Sequence, residues 1–505
     1  MAENSSWVMA PGSDLRPKTL VVVLIGLLLV GCVIGLGSTV LFEKFDPKWG
    51  TYTCFGALVI GLILAVGNLR HSLLFIAAFT LPLNIEVRIF TRDSAGSKGI
   101  FLTAPDMCVL VLIALLLLGM LANKREQIRW CPRTTMPWLL LLIGVNLSLP
   151  FSFEKTQTVY YGVVLIQHIL LYFVFANLLR TEADVSRALK FLVLGLTLGS
   201  ALYLLSCFTG KDFNVVTGEA KSLEGMEEYG GVVRPSGTFG HPIQAGQYFN
   251  AAVWIPLALL STTRHGLTRV LLYAIFAVGC ICTVYTLSRS AYIGFIGGLL
   301  CYLICGVRVG LVRPGTGVKI AVIILLLLMV VGGLAWDRLT LDDGGSGEVR
   351  KPLNQQAIYI ALKHPLVGVG AGAYKSAMWG NQPPGVTIPW QNYVHNEYLL
   401  WWAECGTIGL LALLLFLFSA ARTGFRTLKN RSLTHKAAGF ALVCMLAALV
   451  PNIWFDAGVV AATTACARLM AVVLGINAAA IAIAQERQGV EAKLASGARC
   501  VAPSG

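Results

Sequence analysis

VLLYAIFAVGCICTVYTLSRSAYIGFIGGLLCYLICGV, residues 270–307, places one charged side chain, Arg289, in the short polar turn between two apolar runs. Crossing a hydrocarbon core of about 30 Å takes roughly 20 apolar residues as a helix. Lipid offers no partner for backbone N–H and C=O groups, so each run reads as a membrane helix. The pair is a helical hairpin with an arginine at its bend.

The same pattern extends in both directions. Apolar runs read as spans fall at 19–42, 52–69, 71–86, 103–121, 134–151, 157–179, 187–207, 243–262, 268–288, 290–307, 318–335, 398–420, 436–451 and 457–480. The TLPLN break inside 71–86 and Pro451 at the end of 436–451 put the expected count at about 12–14. The fold class expected is all-α, a polytopic membrane protein. Composition agrees: 56% of the 505 residues are hydrophobic and 13% charged, against about 25% charged in a soluble domain, and mean hydropathy is +0.73. Arg16 and Lys18 precede the run 19–42, which is too long for a cleaved leader and is read as an uncleaved first span.

A net charge of +14 would suggest nucleic acid in a soluble protein. Here the basic residues cluster between spans, as in Lys124, Arg125, Arg129 and Arg133, or Arg422, Arg426, Lys429 and Arg431. That is the positive-inside pattern, so no nucleic-acid partner is expected and both termini are read as cytoplasmic. Most of the 13 cysteines, Cys108, Cys280 and Cys444 among them, fall inside apolar runs as small buried hydrophobes. No cysteine–histidine spacing suits a metal, and none is expected; nor is a cofactor.

The domain reading follows the loops. Residues 1–207 form an N-terminal scaffold, 208–242 an external loop, and 243–335 a helical segment with Arg289. Residues 336–397 form a large external loop with short helices, 398–480 the last spans, and 481–505 a cytoplasmic tail. The first loop is acidic, with Asp212, Glu219, Glu224, Glu227 and Glu228; the second carries the LDDGGSGE stretch and an amphipathic helix at about 350–362. Loops this long are usually functional.

Three strings put basic groups on the external side: VVRPSGTFGHPIQAG around Arg234, YTLSRSAYIG around Arg289, and NYVHNEYLLWWAECGTIG around His395. Charge at a membrane boundary is costly unless it snorkels or is partnered. Guanidinium forks match phosphate oxygens, so Arg234 and Arg289 are the candidates to hold a diphosphate. His395 is the candidate base, imidazole being the side chain most often used for proton transfer near pH 7. Arg350, His241, Tyr393 and Glu397 are candidates for an outer layer or an acceptor site. Tyr393 and Glu397 each lie two residues from His395, a spacing that does not share a helical face. Plain alternatives stand beside these: snorkelling for Arg289, a solvated loop arginine for Arg234, an interfacial or cap histidine for His395, and a solvated helix face for Arg350. Trp379, Trp390, Tyr393 and Trp401 suit either sugar stacking or an interfacial aromatic belt. The glycine string at 368–374 lacks the residues of a nucleotide loop and reads as a tight turn.

RPSGTFGHPIQAGQYF at 234–249, SRSAYIGFIGG at 288–298, HPLVGVGAGAY at 364–374 and HNEYLLWWAECGTIGLLALL at 395–414 together resemble the O-antigen ligase and polymerase superfamily of bacterial envelope enzymes. The resemblance covers about 230–415. It implies a membrane glycosyltransferase of the GT-C type in the inner membrane, with a periplasmic active site and a metal-independent, inverting reaction. The donor it implies is a glycan on undecaprenyl diphosphate. The acceptor is either a second lipid-linked glycan, for a polymerase, or lipid A–core, for a ligase. Chain-length or export proteins of a polysaccharide pathway are further partners. By motif, the diphosphate arginines fall on Arg234 and Arg289 and the essential histidine on His395. Arg350 matches an arginine ahead of the large-loop helix, and His241 stands where many members carry asparagine. The chain length and large external loop favour a polymerase. A transporter or flippase of an anionic lipid or solute is the alternative of another class. It would place paired broken helices and charge near the membrane midplane.

Overall fold

The computed structural model describes residues 68–83, 86–90, 100–122, 128–213, 220–222, 228–229, 232–313, 315–320, 322–324, 326, 329, 333, 346–386, 393–458, 460 and 464–499. The span expected at 19–42, nearly all of 52–69 and most of 318–335 lie outside the described residues, as do Glu219, Glu224, Glu227 and Trp390. Residues 1–72 with 216–219 form one unit, of which 68–72 are described; 73–215 with 220–505 form the other, which holds everything that follows except residues 69–72 at the start of the first helix.

The described helices are α1 (Leu69–Phe79), α2 (Ala104–Ala122), α3 (Pro132–Ser148), α4 (Lys155–Leu178), α5 (Glu182–Thr209), α6 (Pro242–Ala252), α7 (Trp254–Leu259), α8 (Gly266–Tyr285), α9 (Arg289–Arg308), α10 (Ser346–Lys363), α11 (Tyr374–Met378), α12 (Glu397–Leu428), α13 (Leu433–Phe455) and α14 (Ala465–Arg499). Among the described residues, nine helices are long and apolar enough to cross a membrane: α2, α3, α4, α5, α8, α9, α12, α13 and α14. The protein is an all-α polytopic membrane protein. Among the described residues, strand is confined to three small antiparallel pairs: β1 (Glu86–Phe90) with β2 (Ile100–Thr103), β3 (Lys211–Phe213) with β4 (Ala220–Ser222), and β5 (Glu228–Tyr229) with β6 (Val232–Val233).

Local sequence sets the helix ends. Thr181 and Asp184 close a capping box at the start of α5, and Gly210, at φ 63°, ends it in the left-handed conformation. Ser288 caps α9 through the Ala291 amide, and Asn396 caps α12 through the Leu399 amide at 3.0 Å.

Three expected spans differ from the reading. The run 71–86 holds the short helix α1, which ends at Phe79 before the TLPLN break, then a 3-10 turn at Leu81–Leu83 and the first residue of β1. The run 243–262 is not one crossing helix but α6 and α7, broken at Val253 and almost wholly buried. Pro256 has no amide to offer the carbonyl one turn back, and Gln247 and Asn250 favour a protein interior over lipid. The last span begins at Ala465 rather than 457, because Gly458, at φ 103°, belongs to a loop held by Glu397. The amphipathic helix expected at 350–362 is α10, one turn longer at its start.

Packing of α9 on α13 positions the site. A Cβ on Gly294 would lie 2.4 Å from the Ala448 carbonyl oxygen, and one on Gly297 2.6 Å from that of Ala447. A Cβ on Gly298 would lie 2.3 Å from the Trp254 ring. Small residues thus let the two backbones touch, as helix pairs in lipid require. The helices run antiparallel, so the first turn of α9 meets the last turn of α13.

Candidate active site

Arg289 opens α9 and is half-buried. Leu287, two residues before Arg289, holds φ 50°, the only positive φ among the described non-glycine residues. Such a conformation costs of order 1 kcal/mol or more and persists only where its surroundings enforce it. Here α6 supplies the enforcement: a Cβ on Gly246 would meet Thr286 Oγ1 at 3.0 Å and the Ser288 Cβ at 3.3 Å.

Arg234 is buried, and its Nε donates to the Thr286 carbonyl at 3.1 Å. The loop carrying it is pinned by Asp212, whose carboxylate accepts from the amides of Ser236 and Gly237 and from the Ser236 hydroxyl. Gly237 turns at φ 60°, against the Tyr203 ring, and Tyr203 donates its hydroxyl to the Pro235 carbonyl at 3.3 Å. One acid of the 208–242 loop therefore fixes where Arg234 stands.

His395 lies just before α12, with its side chain 29% exposed, and its Nδ1 is 3.3 Å from Asp456 Oδ1. Asp456 follows the last residue of α13 and is 2% exposed. Its other oxygen, Oδ2, accepts from the Ser290 hydroxyl, which itself lies 2.9 Å from the Ser288 hydroxyl. Asp456 thus joins the histidine string to the arginine turn, and Arg234 reaches the same turn at the Thr286 carbonyl. The three strings meet at one end of the bundle. Asp456 and Ser290 are absent from the sequence reading. The available signal was a single acid, in NIWFDAGVV, between two apolar spans that meet at the end where His395 enters.

Glu397, 1% exposed, works on the neighbouring backbone. Its Oε2 accepts from the Gly458 amide and its Oε1 from the Val460 amide, each at 3.0 Å, and Trp401 Nε1 lies 3.4 Å from Oε1. It thereby sets the loop that begins at Asp456. Trp401 is buried in this contact and offers no face to a sugar, whereas Trp379 is 72% exposed. Tyr393 stacks on Tyr374 at 6.4 Å, with Lys375 Nζ 4.5 Å from its ring centroid. Burial first, then the charges of Glu404 and Glu154, push the Tyr393 phenol above its ordinary range. Burial lowers Lys375 from the usual lysine value. His241 caps α6, its Nδ1 accepting from the Ile243 amide at 3.2 Å. Arg350 sits in the first turns of α10, and no contact among the described residues joins it to Asp456.

The glycine string 368–374, with the residues just before it, has a structural task. α12 is interrupted at Gly406, with φ 65° and ψ −167°. The amides of Val369 and Gly370 donate to the carbonyls of Ala403 and Glu404 at 3.0 and 2.9 Å. Beyond the break, the amides of Thr407 and Ile408 donate to the carbonyls of Pro365 and Leu366 at 2.8 and 3.3 Å. Irregular backbone at such a position survives only where protein satisfies it. The segment consumes the groups that a transporter would turn toward an ion.

The arrangement offers two guanidinium groups around a turn, and a partly exposed imidazole whose Nδ1 is held by a buried carboxylate. Such a set suits stabilising an anionic leaving group beside a proton acceptor. Residues 274–414 match the family model described as O-Antigen ligase. No curated protein sequence matches the chain. The matched segment includes Arg289, Arg350 and His395; Arg234 and Asp456 lie outside it. It supports the O-antigen ligase and polymerase superfamily, and with it a membrane enzyme of polysaccharide biosynthesis that handles lipid-linked glycans.

Proposed function

We propose that the protein transfers a glycan from a polyprenyl diphosphate to an acceptor hydroxyl, by a metal-independent inverting displacement at the periplasmic face of the inner membrane. The observation that carries this reading is the Asp456 bridge, which brings His395 to the turn shared by Arg234 and Arg289. Asp456 accepts from His395 Nδ1–H, leaving Nε2 to take a proton. The acceptor oxygen bonds to the anomeric carbon and gives its proton to Nε2. The anomeric carbon–oxygen bond to the diphosphate breaks, and its electron pair leaves with the diphosphate. Arg234 and Arg289 offset the charge that gathers there. A diphosphate is already a good leaving group, so placement and cationic stabilisation suffice.

Sidedness rests on charge. Arg133, Arg264, Arg269, Arg308 and Arg422 cluster at the helix ends opposite His395, which orients that end to the cytoplasm and His395 to the periplasm. The acceptor we favour is a second lipid-linked repeat unit, making the enzyme a polymerase, with transfer to lipid A–core as the other reading.

Purified protein supplied with a lipid-diphosphate repeat unit, with and without lipid A–core, tests this. Lengthening of the glycan without the core supports the polymerase, and transfer only onto the core supports the ligase. Absence of glycan transfer under both conditions refutes the proposal.

A further inference from the structure

At the end of the bundle opposite His395, α3, α12 and α14 enclose a crevice of about 620 Å³. Along α12 the separation from Glu397 to Arg422 is roughly 37 Å, at 1.5 Å per residue. The crevice is therefore not part of the site described above. Its walls include Leu140, Leu415 and Phe418, which are 40%, 51% and 66% exposed and so face the bilayer. Its rim carries Arg133, Arg422 and Arg426. The Ser419 hydroxyl donates to the Arg133 carbonyl at 2.6 Å and ties α3 to α12 at this level.

The charges on the rim are unbalanced. Glu486 is spent on Arg129, which grips it with two donors at 2.8 and 2.6 Å and turns a third to the Leu179 carbonyl. Among the described residues no acid pairs with Arg133, Arg422 or Arg426. Arg422 and Arg426 stand one turn apart on the same helix face, an arrangement that is repulsive unless an anion lies between or beside them. Apolar walls open to lipid and an unbalanced cationic rim call for an anion that carries acyl chains.

We propose that this crevice binds an anionic phospholipid of the cytoplasmic leaflet, its phosphodiester on Arg133, Arg422 and Arg426 and an acyl chain along Leu415 and Phe418. Headgroups bearing an ammonium place a positive charge at the same rim and bind less well. Each arginine near a membrane surface contributes on the order of 1 kcal/mol toward an anionic lipid.

Native mass spectrometry of the intact protein in mild detergent tests the site, with phosphatidylglycerol and phosphatidylcholine of identical acyl chains as probes. Retained phosphatidylglycerol should exceed phosphatidylcholine, and the Arg422→Gln/Arg426→Gln variant should lose about thirty-fold of that preference. Arg308→Gln, an exposed interfacial arginine outside the crevice, should leave it unchanged. The Arg422→Lys/Arg426→Lys variant keeps the charge and should keep most of the preference. Equal binding of the two lipids by the wild-type protein overturns the proposal, and this measurement needs no variant to fold. So does undiminished preference in the folded glutamine variant. Displacement of the bound lipid by inorganic phosphate at millimolar concentration assigns the rim to a free anion and equally overturns it.

Discussion

Asp456→Asn separates the bridge's chemical part from its structural part. Asparagine has the size of aspartate, and its amide can still meet both Ser290 and His395. Two hydrogen bonds to a carboxylate become neutral ones, a loss of about 1 kcal/mol each, partly offset because a buried charge no longer needs stabilising. The fold should therefore lose no more than about 2 kcal/mol. Transfer should suffer far more. The asparagine NH2 group, if turned to His395, donates to Nδ1 and so places the ring proton on Nε2, where the acceptor proton must go. Loss of a general base costs about 10²- to 10⁴-fold, or about 3–5 kcal/mol of barrier. Turnover of a purified lipid-diphosphate substrate, measured beside the thermal unfolding midpoint in detergent, reads both quantities. The expected result is at least a hundred-fold fall in kcat with a nearly unchanged midpoint. Ser290→Ala, which removes one of the bonds to Asp456 and leaves the charge, should cost about ten-fold or less. An Asp456→Asn protein that keeps a third of wild-type turnover refutes the assignment of Asp456 to His395.

Other substitutions probe neighbouring parts. Arg289→Lys should reduce kcat by about 10²-fold, because a point charge lacks the guanidinium fork; an unchanged rate would remove Arg289 from the leaving-group clamp. Glu397→Gln leaves one acceptor for the Gly458 and Val460 amides, and should lower stability by about 1–3 kcal/mol while moving the Asp456 loop enough to reduce turnover. A wild-type melting temperature in this variant would contradict that role. Gly406→Ala forces a Cβ to within 2.2 Å of the Leu366 carbonyl at a backbone conformation that L-residues rarely adopt, so it should cost at least about 2 kcal/mol in a thermal melt. Excess chelator should leave glycan transfer by the wild-type enzyme unchanged, and a loss restored by added divalent cation would contradict the metal-independent reading.

The membrane fold was legible because apolar length is a one-dimensional property, and 270–307 shows it with one charge in 38 positions. Periodicity was less informative where a segment is buried on all sides. Residues 243–262 are as apolar as a span, but Gln247, Asn250 and Pro256 mark them as interior, and they form two short helices. Arg234, Arg289 and His395 stood out because charge is scarce in such a chain. Asp456 did not, since its partner His395 lies 61 residues away and only antiparallel packing of α9 on α13 brings Ser290 beside it. The roles of Glu397 and Asp212 were equally hidden. Both grip backbone amides, and no sequence pattern announces which amides a carboxylate will hold.

The central claim is that His395 is the base in a glycan transfer driven by diphosphate departure. The most direct measurement compares wild-type protein with His395→Ala, both monodisperse and with similar melting temperatures, on one purified polyprenyl-diphosphate-linked repeat unit and its acceptor. The wild-type protein should release free polyprenyl diphosphate in step with new glycosidic bonds, and the variant should release none above background. Stoichiometric product from His395→Ala at the wild-type rate would contradict the account.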